Sequence, residues 1–475
     1  MDENIRLIII ILVATPILFF FINSPLRAAA YVIIFQKIID ILWFVQVSVG
    51  PFKFSPQRLI YTLIPILLIP ILLFIAPNRS REINVPSPSS LVACIAIFVI
   101  WYFINLFRAV EPIFAIEGFT KALGGYVMFA VGWLYFDGKD TDKKFDEFAR
   151  LYVLTFFIPV LGVFLQLFGI FQLADIGISQ QTESNFGLEF KNRYAGFYND
   201  SGTSAMYVWS GFPLALYLFS KRDEPFKWVY AVAAVSMIAT IIVGFGRGMY
   251  LTLGVLLVAW LFINKRYFLL LLGGIGLLIF YFASTFLVKF FADLFIIVQT
   301  GKLSNASMSG KALFMEVQTE LFLNSNFIDQ LFGNGFGQCS IDLSKELSKI
   351  FVMDSDTRFT TESEFFNFLY DFGLLGWIPF VLIPFLLAKR IYSHIAVARS
   401  LNLDPSLILR YSIAFSLTFV LMISLFGRAT RWVSMSFPLW FLMGFALKHP
   451  AFYELKKIEA EEKNYIQINP KLAQA

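Results

Sequence analysis

Twelve apolar runs, each near the length of a membrane-crossing helix, dominate this chain. They lie near residues 6–22, 58–77, 90–109, 117–136, 150–172, 201–220, 228–245, 249–264, 267–287, 364–388, 409–427 and 431–447. A helix needs about 20 mostly apolar residues to cross the hydrocarbon core, and there it satisfies all its own backbone hydrogen bonds. A thirteenth run, 28–49, is interrupted by Lys37 and Asp40. Three residues apart, those two share a helix face and can pair, so the run reads either as a span or as a partly buried interfacial helix. Composition agrees with a membrane location: 58% of the 475 residues are hydrophobic and 15% are charged, against about 45–50% and about 25% in soluble domains. The expected fold is all-α, a polytopic integral membrane bundle of about 12–13 transmembrane helices. The first run reads as a retained span and not as a signal peptide, because Asp2 and Glu3 precede it and no cleavage site is evident.

Lysine and arginine cluster in alternate loops: 137–150, 221–227, 265–266, 389–410 and the tail from Lys448. Such loops face the cytoplasm. Topology thus accounts for the basic residues, and nucleic-acid binding is not expected. The alternate segments are external: 173–200, the turn 246–248, the stretch 288–363 and the turn 428–431. Twelve spans would place the N-terminus inside and thirteen outside. The stretch 288–363 holds an amphipathic run from Ala312 to Leu331 and is expected to fold as short helices over the external mouth, since long structureless loops are uncommon. Three segments follow: N-terminal helices (1–149), a membrane core with loops 173–200 and 288–363 (150–447), and a cytoplasmic tail (448–475).

Against this pattern, Arg193, Arg247, Arg358, Arg428 and Arg431 border apolar runs on the external side. Guanidinium grips phosphate or carboxylate through two parallel hydrogen bonds, so these residues are candidates for holding a phosphate-linked substrate. Arg247 lies in Gly244-Phe-Gly-Arg-Gly248, where glycines permit a tight turn and close ligand approach. The alternatives are headgroup anchoring or, for Arg358, pairing with Asp354 or Asp356. Glu362 and Glu364 stand at the start of a span. There they either cap the helix or supply a general base, a role that desolvation favours. Asp371, further along that helix, requires a partner or a cavity. His394 and His449, the only histidines, fall on the cytoplasmic side, which argues against external Ser/His/Asp catalysis and against a histidine metal site there. No metal or cofactor is expected. Cys94 lies in an apolar run and Cys339 in a loop, with no disulfide framework. Gly333-Asn-Gly-Phe-Gly337 is a turn and not a dinucleotide fingerprint.

Four short motifs carry a resemblance: Arg193-Tyr-Ala-Gly-Phe-Tyr, Gly246-Arg-Gly248, Leu331-Phe-Gly-Asn-Gly-Phe-Gly337, and Glu364-x-x-Asn-Phe-Leu-x-x-Phe-Gly-Leu-Leu-Gly376. In order, spacing and sidedness the chain resembles the O-antigen ligase and polymerase (Wzy-like) superfamily of bacterial inner-membrane glycosyltransferases, over roughly residues 150–447. The resemblance implies a helical bundle with a large periplasmic loop. It also implies a periplasm-facing site that uses a glycan carried on a polyprenyl (undecaprenyl) diphosphate as donor. Arg193 and Arg247 would hold the diphosphate, and Arg428, Arg431 and Arg358 would assist. Glu364 or Glu362 would act in catalysis, and Tyr194, Tyr198, Asn199, Asn367 and Asp371 would line the substrate cavity. A glycan acceptor, membrane lipids, a chain-length regulator and a flippase are the implied partners. Many ligases of this group carry a histidine just before the span that begins here at Glu364, and this chain has Thr361-Glu-Ser-Glu. That departure favours a polymerase of capsule, exopolysaccharide or O-antigen over a ligase acting on lipid A-core. A transporter or flippase is the rival of another class, and no inverted repeat supports it.

Overall fold

The computed structural model describes residues 3–49, 52–80, 89–136, 140–171, 195–198, 201–221, 223–243, 247–269, 271–273, 309–350, 363–424, 433–448 and 450. The first pair of helices, α1 (Glu3–Asn23) and α2 (Pro25–Ile39), reverses sharply at Ser24. Pro25 suits the first turn of α2, where no amide hydrogen is required. A 3₁₀ turn (Asp40–Phe44) and a hairpin of β1 (Val47–Val49) and β2 (Phe52–Phe54) lead into α3 (Pro56–Ser80), α4 (Ser89–Leu106) and α5 (Pro112–Tyr135). Next come α6 (Thr141–Leu154), α7 (Phe157–Leu167), α8 (Ser201–Ser220), α9 (Lys227–Val243) and α10 (Arg247–Ile263). Three shorter helices, α11 (Ser309–Leu323), α12 (Phe327–Phe332) and α13 (Gln338–Ile350), precede α14 (Glu364–Ser400), α15 (Pro405–Ser424) and α16 (Val433–Ala446).

Among the described residues the protein is all-α apart from the short hairpin. Segments Asn4–Asn23, Thr141–Leu167, Glu364–Ser400 and Pro405–Met422 are long and apolar enough to cross a membrane. One continuous core joins α2 through α10 with α14–α16, filled by aromatic stacks such as Phe136, Phe145, Phe148 and Phe441. The amphipathic run 312–331 breaks at residues 324–326, where the Asn326 side chain accepts from the Asp329 amide (2.9 Å) and caps α12. The expected short helices are therefore present over 309–350. Helices α11 and α13 share a small core of their own, made of Phe314, Val317, Leu343 and Leu347.

The bundle has two chemically distinct ends. At the basic end, Arg150 grips Glu224 through two bonds (2.7 and 2.8 Å). Beside it, buried Arg410 pairs with Asp142 and reaches the Tyr217 hydroxyl (3.0 Å), and Lys221 pairs with Asp146. His394 lies at this end, hydrogen-bonded to the carbonyl of Ala446 (2.9 Å), as the loop charges implied. Residues 141–150 and 389–400, expected as loops, are helical here, and their charged side chains find partners on the connection between α8 and α9, on α15 or at the end of α10. At the far end Arg6 donates to the carbonyl of Gln46 (3.1 Å), and Trp43 to that of Phe197 (3.1 Å). The start of α1, the hairpin and the end of α7 thus share one end. The run 28–49 is a 15-residue helix followed by a turn, and most of that helix is buried. Lys37 and Asp40 have found other partners: the Lys37 ammonium lies 3.2 Å from the centre of the Tyr152 ring and donates to Thr155 Oγ1 (3.2 Å), while Asp40 accepts from the hydroxyls of Tyr61 and Tyr207.

Candidate functional site

The far end of α14 gathers the polar residues that sequence reasoning singled out. Ser363, Glu364, Asn367 and Asp371 are all at most 2% exposed, although each sits at the head of a long apolar helix. Burial of that kind carries a cost unless each group finds a partner. Ser363 Oγ and Asn367 Oδ1 have no hydrogen-bond partner among the described residues. Tyr126 of α5 lies within electrostatic reach of the Glu364 carboxylate. One turn along α14, Phe368 lines a small aromatic cavity with Phe98, Ala122, Tyr126, Phe380, Leu421 and Trp440. Glu364 therefore lies one helical turn from an apolar recess, and its neighbours Ser363 and Asn367 carry buried polar atoms without partners among the described residues.

Asp371, which by its position requires a partner or a cavity, has partners. Its two carboxylate oxygens accept from the amides of Gly337 (2.9 Å) and Cys339 (2.8 Å), at the start of α13. A carboxylate suits that place, because the first amides of a helix lack intrahelical partners and carry the positive end of its dipole. The clamp is part of a larger knot. Helix α14 is interrupted at Gly373 (φ 63°, ψ −175°), and three backbone carbonyls at the break are satisfied from outside the helix. Tyr370 accepts from the amide of Asn334 (3.1 Å), Asp371 from that of Gly335 (3.0 Å) and Phe372 from Trp101 Nε1 (2.8 Å). The glycine loop 333–337 and the head of α14, which read as two separate motifs, are one interlocked unit. Replacing Asp371 with asparagine puts an amide group against one of the two backbone donors. A loss of about 1–3 kcal/mol is expected, seen as a lowered thermal midpoint of the solubilised protein and faster proteolysis within 333–350. A loss of activity at unchanged midpoint would contradict this structural role.

Tyr198, expected in the substrate cavity, is fully buried against the N-terminal helices and donates to the carbonyl of Lys37 (3.1 Å). Its neighbours are pinned as well, since the Gly196 amide donates to Gln166 Oε1 (2.7 Å). Arg193, Tyr194, Asn199, Arg358, Glu362, Arg428 and Arg431 lie outside the described residues. Arg247 opens α10 at the far end, and its side chain also lies outside the description.

Among the described residues, several cations at the far end were missed, including Arg6, Arg108, Arg58 and Lys121. Arg58 of α3 and Lys121 of α5 both contact Glu117, at 3.7 and 2.8 Å. They break the same charge bias that singled out the five arginines. The signal was present in the sequence but could not be read until the side of the early helices was known. Among the described residues no group of acidic, cysteine or histidine side chains is arranged to hold a metal. Compared with known proteins, the chain matches no family model and no curated protein.

Proposed function

We propose that this chain is a polytopic membrane glycosyltransferase, a polysaccharide polymerase that extends a glycan carried on a polyprenyl diphosphate at the non-cytoplasmic face. The observation that carries the reading is the buried carboxylate of Glu364. On its helix, Ser363 and Asn367 carry polar atoms without partners among the described residues, and an aromatic recess lies one turn further along, at the end opposite the basic loops. Polar atoms that meet hydroxyls, beside aromatic rings that meet apolar sugar faces, suit a carbohydrate ligand.

In this mechanism an acceptor hydroxyl attacks the anomeric carbon of the donor. The bond from that carbon to the diphosphate oxygen breaks, and Glu364 takes the hydroxyl proton. Arg193 and Arg247 hold the leaving diphosphate and stabilise its growing charge, with Arg428, Arg431 and Arg358 as further candidates. Fixed cations in a partly dehydrated site are effective at this task. The amides at the start of α10 add a favourable dipole at Arg247. Helices α15 and α16 end and begin at this same face. Most of the catalytic gain then comes from positioning two substrates. The ion pairs among α6, α8 and α15 at the basic end favour a closed enzyme over a carrier that must open at that end.

The double variant Arg193→Ala with Arg247→Ala is expected to abolish polymer and to accumulate single lipid-linked repeat units on the outer leaflet. Extraction and gel separation of lipid-linked glycans reads both. Unimpaired polymer in that variant would overturn the diphosphate grip.

A further inference from the structure

The corner between α11 and α12 exposes three large apolar side chains that the proposed reaction leaves unused. Leu323, Phe327 and Ile328 are 64%, 76% and 66% exposed, although both helices pack against α14. Hydrogen bonds fix the corner. Gln330 Nε2 donates to the carbonyls of Phe322, Leu323 and Ser325 (3.3, 3.0 and 3.0 Å), and Asn326 caps α12. The apolar side chains are therefore presented by an ordered turn. Elsewhere on these short helices the outer positions are charged, as at Lys345 and Lys349 of α13. A contiguous apolar patch of this kind marks a contact surface.

Two observations say what covers it. The first is continuity with the outer faces of α4 and α14. Ile328 and Phe332 are four apart and share a face of α12, and the Phe332 ring lies 5.8 Å from that of Trp101 on α4. Ile97 and Ile104, four before and three after Trp101, are exposed beside it, and Leu375, Ile378 and Leu382 form an exposed stripe along α14. The second is depth. Residues 372–388 of α14 carry no charge, close to the minimum of about 17 residues for a span. Asp371 bounds that stretch at the far end and clamps the amides of Gly337 and Cys339. On α4 the first charge after the apolar helix is Arg108, which donates to the Phe332 carbonyl (3.4 Å) and faces Asp329 (3.8 Å). The charges that bound two apolar helices thus hold the segment 329–339 at one level, the edge of the apolar layer. Arg108 is half-exposed, beside the exposed ring of Phe107, as suits a side chain reaching from that layer toward headgroups.

We propose that the α11–α12 corner is a lipid-binding surface, seated in the non-cytoplasmic leaflet with Leu323, Phe327 and Ile328 among the upper acyl chains. Its partner is the bilayer itself, which continues over the corner from the stripes on α4 and α14. Through α12 the seat holds the glycine loop and the Asp371 clamp at the membrane surface. The inference rests on the far end standing at the non-cytoplasmic face of a bilayer, and it is independent of the chemistry at Glu364.

The test uses the full chain in phosphatidylcholine vesicles, with Cys94 and Cys339 replaced by alanine and single cysteines carrying an environment-sensitive NBD fluorophore. Labels go on Phe327→Cys and Ile328→Cys, on Ile378→Cys within the α14 stripe, and on Lys349→Cys as the aqueous reference. Apolar side chains of an interfacial element sit about 5–10 Å into the headgroup and acyl boundary. The labels at 327 and 328 should therefore emit with a blue shift relative to 349. They should lose most fluorescence to lipids with a doxyl group near the headgroup, and 378 should lose more than they do to a doxyl group deeper in the chain. Iodide in the water should quench 349 alone. Doxyl quenching at 378 with iodide quenching at 327 and 328 overturns the seat and leaves the span of α14 standing. Labels at 327 and 328 shielded from both quenchers are covered by protein, a second copy or another segment of this chain, which also overturns it. Doxyl quenching at none of the three positions removes the seat and the membrane reading together.

Discussion

Alanine at Gly373 is expected to be among the most damaging conservative changes in the described part of the chain. Gly373 has φ of 63°, and a Cβ there would stand 2.4 Å from the amide nitrogen of Gly333 and 2.5 Å from the carbonyl oxygen of Leu331. The left-handed conformation alone costs a non-glycine residue about 1–2 kcal/mol. Overpacking against backbone that cannot rotate away adds about 1–3 kcal/mol. Relaxing the clash means separating the glycine loop from α14, which would also unmake the bonds from Asn334 and Gly335 to the carbonyls of Tyr370 and Asp371. The Gly373→Ala protein should therefore fail to accumulate, or should lose several degrees of thermal midpoint in detergent, with cleavage appearing between α12 and α13. Normal stability and activity would mean that the knot at the break is dispensable.

Glu364→Gln should give the largest loss of activity without loss of fold. Glutamine keeps the shape and the hydrogen-bonding capacity of the site but cannot take a proton. Removing a general base costs about 10²–10⁴-fold in rate, so polymer should vanish while lipid-linked units accumulate and the thermal midpoint stays within a degree or so of wild type. Glu364→Asp, which keeps the charge one methylene short, should retain partial activity. Polymerisation by Glu364→Gln at the wild-type rate would remove this carboxylate from the reaction and turn attention to Glu362.

Several elements were legible before the fold was known. The far-end position of the head of α14 and the basic-end position of His394 follow from the charge of the loops, because translocation bias acts on short segments one at a time. The amphipathic run 312–331 announced helix through its periodicity. Its break at Asn326 depends on a cap that competes with helix continuation, and periodicity does not report caps. The glycine loop 333–337 read as a turn, and it is one. That it locks onto the break at Gly373, some forty positions away, could not be read locally, because Gly333 is packed against the backbone of Asp371 and Phe372, and Gly373 against that of Gly333 and Leu331.

Asp371 and Lys37 show the same division at the level of chemistry. By sequence Asp371 is a candidate for the substrate cavity, and Lys37 is a residue able to pair with Asp40. Tertiary structure assigns Asp371 to the amides of Gly337 and Cys339 and sets Lys37 against Tyr152 and Thr155, 118 residues distant from Lys37 in the case of Thr155. Among the described residues, the side-chain atoms at the head of α14 that lack a partner are Ser363 Oγ and Asn367 Oδ1, on either side of Glu364 in sequence.

The sequence by itself determined the helical character, the apolar segments and which later loops carry the basic residues, because these depend on local composition and on spacing along one segment. Tertiary structure decided which end the first helices present, and hence that Arg58 and Lys121 stand at the same end as Glu364. It also decided which buried polar groups are satisfied and which are not. The physical reason is the same in each case: a buried charge is stabilised by partners on other helices, and those partners are set by packing and not by proximity along the chain.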